Sequence, residues 1–176
     1  MKVFSRFVSI SGIFLLTLGI AYGAENPLKI GYVDLQKGLN DSQSGQKAKK
    51  TITGLVSSKQ KIIEEKRAEI EKLRAEIEKQ STVLSPEAKK QKEEKLERDQ
   101  RDLQRIARDA QEELQKKEIE LTNSIIKEMR EIVKKIAEEE GYTFVLLHDE
   151  NLILYSTPAH DLTEKVIKRY DQAQKK

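Results

Sequence analysis

The chain has 176 residues, of which 36% are charged, 37% are hydrophobic and 5% are aromatic, a composition typical of long exposed helices. The formal charge of +3 falls to about +1 without the first 23 residues, which hold Lys2 and Arg6, and this gives no electrostatic case for a nucleic-acid partner. The sequence has no cysteine, which excludes disulfides, thiol catalysis, cysteine-based metal sites and a lipid-modified cysteine.

Residues 1–23 are predicted to be a cleaved secretory signal peptide. Lys2 and Arg6 supply the positive start, and residues 7–20 form an apolar run shorter than the about 20 residues of a membrane span. Small residues follow, and cleavage after Gly23 is favoured over cleavage after Ala24. Export together with the absence of cysteine predicts a periplasmic protein.

Residues 24–45 are predicted to form the first part of a small β body and a joint. Residues 28–34 alternate between apolar and polar side chains, which predicts a short strand. Residues 35–39 predict a helical turn, and the polar residues 40–45 are either a loop or a weak joint before a long helix.

Residues 46–140 predict a long antiparallel helical hairpin with its tip near residues 81–86. Apolar residues recur there every three or four positions and so form an apolar seam along one face of each helix. Lys59 and Lys66 fill two positions of this seam. At the tip, Ser85 is a good N-cap and Pro86 suits the first position of a second helix. Bulky apolar residues become sparse toward the tip, so the hairpin is expected to be loosest there.

Residues 141–176 are predicted to form the second part of the body. Gly141 is a helix C-cap, and the β-prone runs 142–147 and 152–155 flank a turn, which predicts a β-hairpin. Asp161 is an N-cap for a terminal helix whose apolar face holds Leu162, Val166, Ile167 and Tyr170. The fold class is therefore α+β and predominantly helical, with a hairpin that projects from a small β body.

The sequence shows no pattern typical of an enzyme. It has no glycine-rich phosphate loop, no nucleophile elbow and no paired-histidine metal motif. His148 precedes Asp149 and Glu150, a combination that resembles a metal or acid–base cluster, but polar residues between a strand and a turn explain it better. We therefore expect no enzymatic activity, no cofactor and no metal.

Two functions fit the helical arms. One is a signal-anchored coiled-coil protein that serves as a structural spacer of the cell envelope. The other is a gripping device, in which charged and weakly packed arms enclose an unfolded protein. Three short strands and one helix make a small body for such long arms, so we expect several copies to share a sheet and a core.

The order of these elements resembles that of the Skp (OmpH-like) periplasmic chaperone family. The resemblance rests on the strand at 29–34, the long hairpin, the closing runs 143–149 and 153–156, and the terminal helix from Asp161. It implies a homotrimer with a shared β body, whose arms surround a cavity. It also implies an ATP-independent holdase that keeps unfolded outer-membrane β-barrel proteins soluble for outer-membrane assembly.

The resemblance also assigns expected roles to individual residues. The trimer body is expected to include Ile30, Tyr32, Phe144, Val145, Leu146, Leu147, Ile153, Leu154 and Tyr155. The client-facing residues of the arms are expected to include Ile62, Ile70, Leu73, Ile77, Leu96, Leu103 and Leu114. Lys116 and Lys117 fall near a basic pair of the family and are candidates for lipopolysaccharide or membrane-surface contact, although the chain lacks the strong basic charge common in the family.

Overall fold

Two long antiparallel helices dominate the computed structural model, which describes residues 28–175; the predicted signal peptide lies outside these residues. The elements in chain order are β1 (Ile30–Val33), α1 (Leu35–Asp41), α2 (Gln43–Gln80), α3 (Pro86–Glu140), β2 (Phe144–Leu147), a 3₁₀ turn (Pro158–His160) and α4 (Thr163–Ala173). The predominantly helical α+β class agrees with the prediction. Among the described residues, no helix is long and apolar enough to cross a membrane.

The ends of α3 follow the expected capping chemistry. At its start, the N–H of Ala88 donates to Ser85 Oγ over 3.2 Å, and Pro86 occupies the first turn, where its missing N–H costs nothing. At its end, Gly141 adopts the left-handed conformation with φ of 69°, and its N–H donates to the carbonyl of Ala137. The helix therefore has a defined start at the tip and a defined end at the body.

The segment between α1 and α2 is a tight joint at Ser42 rather than a loop. The N–H of Gly45 donates to Ser42 Oγ over 3.2 Å, and the N–H of Gln43 donates to Asp171 Oδ1 over 3.0 Å. A side chain at position 45 would lie 1.6 Å from the carbonyl oxygen of Leu39, so only glycine fits. Helix α2 consequently begins at Gln43, earlier than the predicted boundary at residue 46, and α4 holds its first turn.

The two strands pair in parallel, with Ile30 opposite Phe144 and Val33 opposite Leu147. The pairing is extended at one end by the N–H of His148, which donates to the carbonyl of Val33 over 2.8 Å. On the other side of β1, the N–H of Leu162 donates to the carbonyl of Tyr32 over 2.9 Å. Strand β1 is therefore central, and β2 lies at an edge.

The predicted β-hairpin of residues 142–147 and 152–155 is wrong for the single chain. The N–H groups of Leu152 and Ile153 both donate to the carbonyl of Asp149, which closes a tight turn, but residues 152–155 form no strand beyond it. The partner of β2 is β1, which already presents an extended backbone, and Ile153 lies beside the face of the sheet instead.

The core lies where the sheet, α3 and α4 meet. Its members are buried aliphatic and aromatic side chains: Val33, Leu35, Ile125, Met129, Ile136, Leu162, Val166 and Tyr170. The predicted apolar face of α4 is thus confirmed. The prediction that Asp161 is the N-cap is wrong, because Leu162 occupies that position, but Asp161 Oδ1 accepts a hydrogen bond from the N–H of Thr163 over 2.8 Å just before the helix. Burial raises the pKa of Tyr170, whose hydroxyl donates to Glu128 Oε2 over 2.9 Å.

Candidate functional surfaces of the sheet and the arms

The sheet and the segment that follows it carry a set of exposed apolar side chains, which we call the sheet patch. Its members are Ile30, Phe144, Leu146, Leu147, Leu152, Leu154 and Tyr155. Leu154 is 90% exposed and Tyr155 is 85% exposed, although both belong to residue types that are usually covered. Large exposed apolar side chains grouped in one part of a protein often mark a contact with another molecule.

The strand register explains why Ile30, Phe144 and Leu146 point outward, whereas Leu147, which lies opposite Val33, is on the other face of the sheet. Side chains alternate between the two faces of a strand, so Ile30, Tyr32, Phe144 and Leu146 share the face opposite to buried Val33. Ile153 and residues 155–157 run beside this outer face and border, together with it, a mostly apolar groove of about 350 Å³. One chain alone thus leaves this groove open.

The outer edge of β2 is also free within the described residues. The sheet contains only β1 and β2, so the main-chain groups of Phe144–Leu147 that point away from β1 have no strand partner. An exposed edge next to apolar side chains is a template for pairing with another chain.

Six of the nine predicted trimer-body residues lie in the two strands, Ile153 and Tyr155 border the groove beside them, and Leu154 is exposed in the same segment. None of the nine is fully buried within the chain, and Val145 is the one that packs against the core. The other eight lie at the surface of the sheet or in the segment beside it, where they are available for contact.

The predicted client-facing residues of the arms occupy different environments. Ile70 and Ile77 are only 5% and 9% exposed, because they lie in the seam between α2 and α3. Leu73, Leu96, Leu103 and Leu114 are half-buried, and Ile62 is exposed. Ile70 and Ile77 therefore stabilise the arm and do not face outward, because their spacing places them on the seam.

Two exposed apolar residues of the arms were missed by the sequence reasoning. Val83 lies in the turn at the tip, and Ile119 lies on the outer face of α3. Ile119 departs from the seam spacing set by Leu114 and Leu121, and this departure is the signal that identifies it. Together with Ile62, these residues place apolar side chains on an otherwise charged surface.

The seam between the arms contains ion pairs at three levels, which we call the polar layers. Lys59 Nζ lies 2.6 Å from Glu113 Oε2, Lys66 Nζ lies 3.0 Å from Asp99 Oδ1, and Lys92 Nζ lies 3.3 Å from Glu76 Oε2. Each pair joins α2 to α3. The two lysines that interrupt the apolar spacing of α2 therefore have carboxylate partners on the opposite helix.

Asp99 is the most deeply placed charged residue of these layers. Its carboxylate accepts hydrogen bonds from Lys95 Nζ over 2.5 Å and from Lys66 Nζ over 3.0 Å. These hydrogen bonds, with Lys95 first, hold the pKa of the Asp99 carboxyl below its usual range, and the hydrogen bond to Asp99 raises the pKa of Lys66. The layer is therefore fully charged at neutral pH.

The predicted basic pair, Lys116 and Lys117, borders a groove of about 650 Å³ between the arms. Two carboxylates, Glu113 and Glu120, border the same groove, and Lys117 Nζ lies 3.0 Å from Glu120 Oε1. The local charge is therefore balanced rather than basic, which weakens the electrostatic attraction for an anionic lipid.

The two histidines lie beside β1. His160 Nδ1 is 2.7 Å from the carbonyl oxygen of Ile30, and His148 Nδ1 is 4.0 Å from Asp34 Oδ2. Within residues 28–175, no three His, Asp or Glu side chains are grouped closely enough to hold a metal ion.

Comparison with known proteins agrees with this architecture. A crystal structure of a candidate outer membrane chaperone (OmpH-like) from Caulobacter crescentus CB15 superimposes with a TM-score of 0.78. It shares 14% identity, and the match covers 83% of this chain and 85% of that chain, so it shows a common fold. No curated protein matches the chain. The sequence pattern of the family described as outer membrane protein (OmpH-like) matches residues 29–170, and the chain therefore belongs to this family.

Proposed function

We propose that this protein is an ATP-independent periplasmic chaperone that encloses unfolded outer-membrane β-barrel proteins between its arms and keeps them soluble. The observation that carries the proposal is the separation of the arms from the core. The core and the side chains packed against it include no residue between Ala48 and Ile125. At 1.5 Å per residue, the 38 residues of α2 extend for roughly 57 Å.

The family and the description of the Caulobacter protein as a candidate chaperone support this proposal. The surface of the arms supports it as well, because scattered apolar side chains at Ile62, Val83 and Ile119 lie among many charged ones. Such a surface offers an unfolded chain many weak contacts, each replaceable by another. Holding a client in this way requires no nucleotide.

We further propose that three copies assemble through the sheet patch. The open groove, the free edge of β2 and exposed Leu154 and Tyr155 all leave the body of one chain incomplete. Burying this apolar surface against other copies provides the main favourable free energy of assembly. The arms of the assembled copies then surround a common space.

Dilution of a denatured outer-membrane β-barrel protein tests the proposal. We expect residues 24–176, without nucleotide, to suppress light scattering by the diluted client. Changing Ile62, Val83 and Ile119 together to Ser should reduce this suppression, because it removes apolar contacts from the outer surface. The matched control changes Gln60, Gln104 and Gln111, which are exposed on the same helices, to Ser. Equal aggregation with and without the unmodified protein contradicts the proposal.

The alternative function, a signal-anchored coiled-coil spacer, is favoured by the long seam with its polar layers. It requires a retained N-terminus and recovery in the membrane fraction. A measured mass that corresponds to a chain cleaved after Gly23, for protein recovered in the soluble periplasmic fraction, excludes this alternative.

A further inference from the structure

The seam between α2 and α3 buries few side chains for its length. Along residues 46–124, the buried side chains are those of Ile70, Ile77, Asp99 and Ala110. The core of the body, by contrast, is a cluster of eight buried apolar side chains. The free energy that holds packed elements together grows with the apolar area that they bury, so the two arm helices are joined more weakly than the elements of the body.

Two of the three polar layers are open to water. The side chains of Lys59 and Glu113 are 26% and 54% exposed, and those of Lys92 and Glu76 are 30% and 42% exposed. Ion pairs with this exposure contribute little stability, because water already solvates both charges. When the two helices separate, these side chains exchange their partner for water, and no charge is left buried and unpaired.

Each arm helix also carries ion pairs of its own. On α3, Arg101 Nη1 lies 2.6 Å from Glu97 Oε1, and on α2, Lys66 Nζ lies 3.3 Å from Glu69 Oε2. Pairs of opposite charge three or four residues apart stabilise a helix in water. They favour the helical state of each arm helix after the two have separated, so the seam opens without unfolding of the helices.

An open seam presents a regular apolar row on α2. Four aliphatic residues lie seven positions apart on one face of this helix, at intervals of about 10.5 Å: Val56, Ile63, Ile70 and Ile77. The other faces of the outer half of α2 are rich in Lys, Arg and Glu. The helix without its partner is therefore apolar along one stripe and charged on both sides of it.

We propose that the seam opens and that the apolar row of α2 is a concealed binding surface for apolar segments of an unfolded client, an inference that rests on the proposed function. The strands of a β-barrel membrane protein alternate apolar and polar residues, so an extended segment has one apolar face and one polar face. The apolar face fits the row, and the polar face stays in water. The client and α3 compete for the same row, which is why the surface is covered in the protein alone.

Thiol labelling tests the opening of the seam on the protein alone. The chain has no cysteine, so Ile70→Cys in the seam and Ile125→Cys in the core each introduce a single thiol, at positions that are 5% and 6% exposed. We expect excess maleimide to label position 70 faster than position 125 by about tenfold or more, while the circular dichroism stays helical. Equal labelling rates at the two positions overturn the proposal.

Closing the seam tests the binding surface. Lys66→Leu with Asp99→Leu replaces the most buried polar layer by apolar side chains, an exchange that is often neutral or stabilising. This double variant should slow the labelling of Ile70→Cys and should suppress client aggregation less than the unmodified chain, although it is the more apolar protein. The matched control, Lys61→Leu with Asp109→Leu, adds the same side chains at exposed positions and should suppress aggregation at least as well as the unmodified chain.

The outcomes separate this inference from the proposed function. If the double variant does not slow labelling at position 70, or if it suppresses aggregation as well as the unmodified chain, the concealed surface is wrong and the proposed function stands. If the unmodified chain itself fails to suppress aggregation, the proposed function is wrong and the concealed surface falls with it.

Discussion

At the scale of single residues, the arms depend on charged side chains placed where a simple coiled coil would have aliphatic ones. Asp99 illustrates the arrangement, because one carboxylate serves Lys66 across the seam and Lys95 on its own helix. Charge-assisted hydrogen bonds of this kind are stronger than neutral ones, and their direction favours a single register of the two helices.

Asp99→Asn should lower the free energy of unfolding by about 1 kcal/mol, because both lysines lose their charged partner. Asp102→Asn is the control, since Asp102 pairs only with Arg105 at an exposed position and its loss should cost less than about 0.5 kcal/mol. Urea unfolding followed by circular dichroism measures both values. Equal losses in the two variants contradict the role given to Asp99.

The lowered pKa of Asp99 also predicts how the stability of the chain depends on pH. The folded state lowers the pKa of Asp99, so its charge contributes stability above the unfolded pKa of about 3.9 and loses that contribution as the pH falls through the folded pKa. The difference in unfolding free energy between the unmodified chain and Asp99→Asn should therefore be constant above about pH 5 and should shrink as the pH falls into the acid range. A difference that instead grows in acid contradicts the sign of the shift.

In two of the polar layers, the sequence identifies the lysine of the ion pair but not its carboxylate partner. Lys59 and Lys66 stand out because they interrupt the apolar spacing of α2. Their partners, Glu113 and Asp99, are two of many carboxylates on α3, and which of them comes opposite depends on the geometry of the turn at the tip. Charge patterns within one helix carry no information about that register.

At the scale of elements, two glycines with equally open surroundings have opposite roles. A Cβ atom would meet no other atom within 4 Å at either Gly54 or Gly141. Gly54 has ordinary helical geometry, whereas Gly141 has φ of 69°, a conformation that side chains other than glycine rarely adopt. Backbone conformation, and not contact, therefore decides the effect of a substitution.

Gly54→Ala should raise the free energy of unfolding by about 0.5–1 kcal/mol, and Gly141→Ala should lower it by about 1–2 kcal/mol. Neither change creates a clash, so the two variants report the effect of backbone conformation on the free energy of unfolding. Chemical unfolding of the two variants under the same conditions measures both. Changes of the same sign in both variants contradict this explanation.

The sequence predicts the helices better than the sheet for a physical reason. A helix is stabilised by residues close in sequence, so Ser85, Pro86 and Gly141 are sufficient to indicate where α3 begins and ends. A strand needs a partner, and nothing in the β-prone runs at 142–147 and 152–155 indicates which strand each of them pairs with. The run at 152–155 is the nearer in sequence and so is the first partner to expect for β2, but β2 pairs with β1 in the structure.

At the scale of the whole molecule, the sheet patch is the surface on which the proposed trimer depends. Phe144 and Leu146 are exposed in one chain, so a charge at either position is tolerated by the isolated fold. In the assembly, the same charge would be buried without a partner.

Phe144→Asp or Leu146→Asp should therefore reduce the mass measured by light scattering from three chains to one, while the helical circular dichroism is kept. Leu103→Ala, which shortens a half-buried side chain in the arm, should leave the mass unchanged. A mass of three chains in both sheet variants would show that the assembly, if present, uses another surface.

The pairing of β1 with β2 also bears on the order in which we expect the protein to fold. The hydrogen bond from the N–H of Lys29 to Thr143 Oγ1 joins positions 114 residues apart, and the whole hairpin lies between them. Closing so long a loop as a random chain is entropically costly and slow, whereas zipping the helices from the tip brings the strands together one turn at a time. We therefore expect the arms to form before the body, and β1, which is made early, to have no partner until almost the entire chain has been delivered.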